Sequence, residues 1–533
     1  MNPALRKILE KPIVLLLAVN IIVGLFVFRA YGYSWDEPLF YDYGNALGYA
    51  YSPRQWFSGT FDVDNSYGSS GDDHKTRGPA YLLLSREPVY LLESLGLDQA
   101  AAWHLVNFLF FQLGVYFLDR LSRRWMSSNA ALAASALFAW QPLLWGHAFI
   151  NPKDPPFLTF FLASVCLGFE MVDALTTTDR SKFSVIFLPA IILGITTSIR
   201  VLGPLAGLLV FVYFVFSIVE NKNFRGSVTL WLTFIGYGFV AILSMFSAWP
   251  YLWESPITRF IDVFHFMSDN PTTLSVLFGG EVFRAGELPR RYLPFMLVST
   301  LTEPVWFLFG IGLVAGYWKL LSDRSLQAKR NLVTATLTLS WFVIIVAYAL
   351  IRRPAMYDGF RHFQFIIPPV FVFTGFAFEF LFGILRKLSV TRQTWLHAGL
   401  VAALLSPGIL GIVRLHPYEY TYYNSFIGGT SGAFRNYETD FWLTCYKEAL
   451  EQLNGTDSPI NLFVHREAYI AQYYADPTIT VRERRDHLDQ IQRGDYILIN
   501  TRTNEDRRIL KDVQPTVQIQ RGNAIFCIIK RVP

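Results

Sequence analysis

Apolar residues fall along this chain in blocks of about twenty, the length that crosses a bilayer as a helix. The blocks cover 12–30, 101–119, 129–147, 156–172, 183–199, 203–219, 228–247, 292–318, 332–350, 363–385 and 396–413. They predict an α-helical polytopic membrane protein with about eleven transmembrane helices. The stretch 79–97 is also apolar, but Arg86, Glu87, Pro88 and Glu93 interrupt it. It reads as interfacial helices lying on the membrane rather than as a crossing. After about residue 414 the pattern changes. Charged residues become frequent, and short β-type runs appear at Ile460–Val464, Tyr496–Asn500, Val517–Gln520 and Ala524–Lys530. Helical stretches from about Tyr437 to Leu453 and near Arg482–Arg493 alternate with them. The chain therefore divides into a membrane domain, 1–415, and a small soluble α/β domain, 416–533.

The polar positions between the blocks orient the protein. With the N-terminus in the cytoplasm, Arg6, Lys7 and Lys11 lie inside. Arg120, Arg123 and Arg124 follow, then Arg180 and Lys182, then Lys222 and Arg225. Lys319, Arg324, Lys329 and Arg330, and finally Arg386, Lys387 and Arg392, complete the series. Every inside loop is basic, as the positive-inside rule requires. Left outside are a long first loop (31–100), a second long loop (248–291) and the C-terminal domain. No small-residue cleavage site follows the first span, which is expected to stay as a signal-anchor helix. The expected location is the cell membrane, multi-pass, with the C-terminal domain extracytoplasmic.

Composition agrees with this reading. The 533 residues are 52% hydrophobic, 17% aromatic and 16% charged, where a soluble domain carries about a quarter charged. A soluble enzyme is excluded. The net charge of +5 is modest, and no nucleic-acid partner is expected. Cys166, Cys445 and Cys527 present neither a disulfide framework nor a metal-ligand spacing. The run Asp62–Gly68 looks superficially like a calcium loop, but its glycine comes one position late and no glutamate stands at the twelfth. No metal and no cofactor are expected.

Candidate chemistry gathers on the outer side. Asp36 and Glu37 lie just past the first span, in Tyr33-Ser34-Trp35-Asp36-Glu37-Pro38. Paired carboxylates at the lipid–water boundary are costly, and a membrane enzyme would put a general base there. The turn between the third and fourth spans holds His147, Asn151, Lys153 and Asp154 where Pro, Gly or Asn would suffice. Arg200 follows the fifth span, and Arg352, Arg353, Tyr357, Asp358, Arg361 and His362 stand at the outer end of the ninth. These cations run against the positive-inside bias. Several cations converging on one anion offset its desolvation, so the set fits a phosphate or diphosphate. A phosphate-linked lipid would place its headgroup at this depth. Carboxylates beside such a cluster suit transfer of a group, usually a sugar, from a lipid phosphate. The carboxylate takes a proton from the acceptor hydroxyl while the cations stabilise the departing phosphate.

The Asp36-Glu37 pair, the Lys153-Asp154-Pro155 turn and the segment Tyr357-Asp358-Gly359-Phe360-Arg361-His362-Phe363 together resemble a known family. It is the dolichyl-phosphate-mannose–protein mannosyltransferase family (glycosyltransferase family 39), whose wider relatives include the bacterial aminoarabinose transferases, all with the GT-C membrane fold. Leu288-Pro289-Arg290-Arg291-Tyr292-Leu293-Pro294 also resembles the end of the second long loop in bacterial members. The resemblance spans roughly 12–415. It implies a GT-C-like fold and an inverting transfer of a sugar, mannose or similar, from a polyprenyl-phosphate donor. The acceptor would be a hydroxyl on protein, cell-wall glycan or glycolipid. Carried over, Asp36 matches the catalytic base and Glu37 its partner acid. Lys153 and Asp154 match the second polar turn of the same cavity, and Arg361 and His362 the basic position near the donor phosphate. His147, Arg200, Tyr292 and Tyr357 complete the expected substrate-binding set.

There are departures. The first loop reads His74-Lys75-Thr76-Arg77-Gly78-Pro79 where many members carry His-Pro-Pro. The roughly forty residues of 248–291 cannot hold the β-trefoil of eukaryotic members, which points to a bacterial type. The Trp-Trp-Asp signature of oligosaccharyltransferases is absent.

The rival reading is a transporter or flippase for a lipid-linked or small anionic substrate. Carriers place ionisable groups near the bilayer midplane, whereas here they cluster at span ends and in outer loops. Glu281, Arg284, Glu287, Arg290 and Arg291 read as a solvated amphipathic stretch. The C-terminal domain carries no catalytic motif. His416-Pro417-Tyr418 and the run Tyr420–Asn424 are expected to dock it on the membrane surface.

Overall fold

The computed structural model describes residues 12–69, 71–177, 184–221, 224–269, 272–388, 393–456 and 458–533. The basic positions at 6, 7, 11, 180, 182, 222 and 392 lie outside the described residues. Every apolar block forms helix. Seven described helices are long and apolar enough to cross a membrane, and four shorter apolar ones accompany them. The protein is a multi-pass helical membrane protein with a small C-terminal sheet domain. The stretch 79–97 forms one helix, Ala80–Ser94, packed on the helix Gln99–Ser122.

Two blocks are broken in the middle. The third divides into Ser128–Ala139 and Pro142–Ile150, and the eighth into Tyr292–Thr300 and Pro304–Ser322. Pro142 and Pro304 open the second halves, where a missing N–H costs nothing. The two breaks face each other. Gln141 Nε2 donates to the Leu137 carbonyl (2.9 Å) and to Thr302 Oγ1 (2.9 Å), and the Thr302 N–H donates to Gln141 Oε1 (3.0 Å). One buried glutamine thus serves backbone groups that the breaks release, as irregular backbone inside a membrane bundle requires. The redirected half Pro142–Ile150 then delivers His147 and the turn bearing Lys153 and Asp154.

In the second long loop, β1 (Ser275–Phe278) and β2 (Glu281–Arg284) form an antiparallel hairpin. Gly279 and Gly280 turn it with positive φ (64° and 83°), the conformation that a two-residue turn favours. Glu281 and Arg284 are exposed there.

The C-terminal domain is a five-stranded sheet in the order β4-β3-β5-β7-β6. Its strands are β3 (Ile460–Val464), β4 (Ile479–Glu483), β5 (Tyr496–Asn500), β6 (Val517–Arg521) and β7 (Ala524–Arg531). The four expected strands all form. The helix expected from Tyr437 occupies only Cys445–Leu453, because 437–444 is irregular chain that reaches into the bundle. Asp440 accepts the first N–H groups of that helix, from Thr444 and Cys445 (both 3.2 Å). The helix expected near 482–493 is instead the end of β4 followed by two short 3-10 turns. Cys445 and Cys527 form a disulfide, contrary to the sequence reading, with Cα atoms 6.2 Å apart across 82 residues. Packing of the Cys445–Leu453 helix on β6 and β7 brings them together. The aromatic run also departs from expectation. Tyr418, Tyr420, Tyr422 and Tyr423 are buried, and Asn424 Nδ2 donates to the carbonyls of Val298 (2.7 Å) and Leu301 (2.9 Å) at the second helix break. The run joins the domain to the bundle.

Candidate functional site

Asp36 and Glu37 start the first-loop helix Glu37–Ala46, with Pro38 in its first turn. The two carboxylates point to different surroundings. Glu37 is fully buried. Its Oε2 accepts the Ser34 N–H (2.6 Å), and its Oε1 accepts the Tyr41 hydroxyl and lies 3.0 Å from His104 Nε2. That network pins the loop. Asp36 keeps 22% side-chain exposure and takes Arg361 Nη1 at 2.7 Å on its Oδ2.

Arg361 is clamped between aromatic faces, 4.9 Å from the Tyr357 ring centroid and 4.5 Å from that of Trp442. Its Nε lies 3.2 Å from Asp358 Oδ2. Asp358 and Gly359 are both left-handed (φ 56° and 67°), a reversal that glycine makes freely and aspartate tolerates. The Tyr292 hydroxyl donates to the Gly359 carbonyl (3.2 Å) from a buried position. Tyr292 therefore braces this turn. Beyond it, Asp358 Oδ1 is 2.7 Å from Arg502 Nη2, and Arg502 Nε donates to Glu438 Oε1 (2.8 Å). Alternating charge thus runs Asp36–Arg361–Asp358–Arg502–Glu438, from the first loop into the C-terminal domain.

The second wall comes from the turn after Pro142–Ile150. Asn151 Oδ1 accepts the N–H groups of Lys153 (3.1 Å) and Asp154 (3.0 Å), capping the helix Asp154–Thr177. Its Nδ2 donates to Asp154 Oδ2 (2.9 Å) and lies 3.3 Å from His147 Nδ1. The other Asp154 oxygen pairs with Arg200. His147 is buried against Tyr420, Phe441 and Trp442. Lys153 Nζ stands 5.4 Å from the centroid of Phe40, one turn along from Asp36, and Arg77 lies 5.9 Å from the same ring.

Electrostatics follow from this crowding. Burial opposes the charge on Asp36, but Arg361 and Arg77 outweigh it and hold the carboxyl below the usual aspartate range. Burial pushes the Lys153 ammonium well down, as do Arg77 and Arg200, against Asp154 and Asp36. His362 is held well below its ordinary value by burial and by Arg361, Arg200, Lys153 and Arg77. Arg361, Arg200, Lys153 and Arg77 therefore all act on His362, with Asp36 and Asp154 set among them. Deeper in, burial raises Asp358 against Arg502 and Arg361, and pushes Glu438 up to about 7 against Arg502. Arg502 is shared between Asp358 and Glu438, and Arg361 between Asp358 and Asp36, so burial is not fully offset at Asp358 or Glu438.

Asp36, His147, Lys153, Asp154, Arg200, Tyr357, Arg361 and His362 are thus brought together, while Glu37 and Tyr292 support them from behind. Arg353 stays outside, donating to the Leu288 carbonyl (3.0 Å). Sequence reasoning missed Arg502, Glu438 and Trp442, which the C-terminal domain contributes; a tryptophan in an otherwise polar segment was the one signal available. Among the described residues no group of three or more His, Cys, Asp or Glu is placed to hold a metal ion. The arrangement can keep the Asp36 carboxylate ionised beside several basic side chains.

The chain matches no protein-family model and no curated protein sequence. Its structure is similar to that of the Archaeoglobus fulgidus oligosaccharyltransferase tethered with an acceptor peptide, at 11% identity and a TM-score of 0.49 over 93% of this chain and 69% of that one. It is also similar to the arabinofuranosyltransferase AftD from Mycobacteria, at 14% identity and a TM-score of 0.43 over 97% of this chain and 40% of that one.

Proposed function

We propose that this protein is a GT-C-type membrane glycosyltransferase that moves a sugar, mannose or a similar hexose, from a polyprenyl-phosphate donor to a hydroxyl acceptor. The single observation that carries this reading is the Asp36 carboxylate, ion-paired to Arg361 at the edge of the Arg77, Lys153, Arg200 and Arg361 cluster. The donor phosphate sits among these cations, and its arrival restores full charge to Lys153. The acceptor oxygen attacks the anomeric carbon from the side opposite the phosphate, and its proton passes to Asp36. The anomeric C–O bond breaks, and its electron pair leaves on polyprenyl phosphate, stabilised by the cations. A single displacement inverts the anomeric centre. Glu37 and Tyr292 act as positioning residues. The basic loops at the opposite end support an extracytoplasmic site, and the Cys445–Cys527 disulfide suits an oxidising compartment.

The test is release of polyprenyl phosphate by reconstituted protein supplied with a panel of polyprenyl-phosphate sugars and a membrane extract. Asp36→Asn is expected to lower turnover about 10²–10⁴-fold while donor binding persists. Turnover unaffected by that change would move the base elsewhere. No turnover with any donor, together with movement of lipid across the bilayer, would establish the transporter instead.

A further inference from the structure

On the far side of the first-loop helix lies a second cavity, a cleft of about 210 Å³ lined by Tyr33, Asp42, Asn45, Gln99, Tyr469 and Tyr473. We infer that this cleft is a saccharide-binding subsite for a remote unit of an oligosaccharide acceptor. The inference rests on the glycosyltransferase reading above and adds the acceptor class to it.

Position comes first. Helical spacing puts Asp36 and Phe40 on one face of the first-loop helix and Pro38, Asp42 and Asn45 on the opposite one. The cleft is therefore separated from the cations by the helix, with Tyr33 and Pro38 of its lining on either side of Asp36 in the chain. Tyr469 stands at the N-terminal end of that helix, donating its hydroxyl to the Trp35 carbonyl (2.5 Å), one residue before Asp36. A sugar resting in the cleft is thus a unit away from the reacting hydroxyl. The acceptor must be longer than one residue to fill both places.

The lining then selects the ligand. Tyr469 and Tyr473 belong to the C-terminal domain helix Ala468–Tyr474 and keep 37% and 43% exposure. Tyr473 is set edge-on to Tyr33, with ring centroids 4.5 Å apart. Tyr33 is fixed in turn, its hydroxyl donating to Gln99 Oε1 (3.1 Å) and its N–H to the Tyr474 hydroxyl (2.9 Å). Asp42 accepts the Ser69 N–H and hydroxyl (both 2.7 Å), and Asn45 Oδ1 accepts the Tyr90 hydroxyl (3.1 Å). Preformed aromatic surface flanked by a carboxylate and amides matches a sugar, which presents an apolar C–H face and a ring of hydroxyls. An acyl chain would cover the Asp42 carboxylate and offer it no hydrogen bond beyond those from Ser69. An extended peptide seeks a strand edge, and the lining contains no strand.

The test is saturation-transfer difference NMR on the full-length protein in detergent, donor absent, with maltotriose, mannotriose and galactotriose as probes. At least one trisaccharide is expected to receive saturation in the wild type and in Asp36→Asn. Tyr473→Ala should weaken its binding about tenfold, and Asp42→Asn should weaken it as well. No transfer to any of the three sugars, or transfer indifferent to both variants, would overturn the inference. So would quenching of Tyr473→Trp fluorescence by vesicles of brominated phosphatidylcholine, which would make the cleft a bilayer contact. The two readings fail separately. Sugar binding without polyprenyl phosphate release sinks the enzyme, and release without sugar binding sinks only the subsite.

Discussion

The two ends of the helix bundle handle charge in opposite ways. At the end with the basic loops, several cations have a local carboxylate: Arg120 with Glu170 (2.5 Å), Arg124 with Asp173 (2.6 Å), Lys329 with Glu220 (3.8 Å) and Lys319 with Glu379 (3.9 Å). These pairs are partly exposed, and such pairs are worth little individually. At the other end, Asp36, Arg361, Asp358, Arg502 and Glu438 share partners in one continuous run, largely buried. Arg77 and Arg200 crowd the same place, where with burial they push the Lys153 ammonium and the His362 imidazole down. Pairing at the first end is local, one cation to one carboxylate. Convergence at the second makes Asp36, Asp154 and Asp358 share a crowded set of basic side chains.

The largest effect expected from breaking this contrast is on stability. Arg502→Met leaves Asp358 and Glu438 buried without their shared cation and should cost about 3–5 kcal/mol. Arg120→Met, at a pair exposed by 39% on both sides, should cost about 1 kcal/mol or less. Unfolding of the detergent-solubilised protein measures both, and equal losses would erase the distinction. Next comes donor recognition. Lys153→Ala should raise the donor KM about 10–100-fold, the value of a hydrogen bond to a charged group, and Lys329→Ala should leave it unchanged in steady-state release assays.

The smallest effect sharpens the comparison through pH. Folding raises Glu438 to about 7 from an unfolded value of about 4.3. A group raised in this way contributes stability that is fully present below the unfolded value and is lost as pH rises through about 7. The melting temperature should therefore fall by about 2–4 °C between pH 5 and pH 8. Glu438→Gln should reduce that slope, to which Asp440, raised to about 6 by burial, also contributes, while Glu170→Gln at the other end should retain it in full.

Much of the frame was legible because it rests on local contrast. An apolar run long enough to span a bilayer is read directly along the chain, and so is the sign of the loop that follows it. Lys153 and Arg361 drew notice because cations on the outer face break a rule. Strands β3, β5, β6 and β7 stood out by composition, whereas β4, rich in charge at Arg482 and Glu483, read as helix. The helix breaks at Gln141 and Thr302 went unread although Pro142 and Pro304 mark them, since only the contact between them shows how the interruption is tolerated inside an apolar block.

The candidate site shows the same boundary. The sequence by itself determined a polytopic membrane protein, its expected orientation, an outer cluster of cations and a carboxylate pair at their edge. Only the tertiary structure decided that Asp36 meets Arg361 while its neighbour Glu37 turns into a buried network. Only it recruited Arg502, Glu438 and Trp442, and only it paired Cys445 with Cys527. Membrane insertion is a property of a segment and its solvent, so it can be read one run at a time. Burial of a polar residue in a polar domain leaves no such mark, because it depends on which distant surface closes over it.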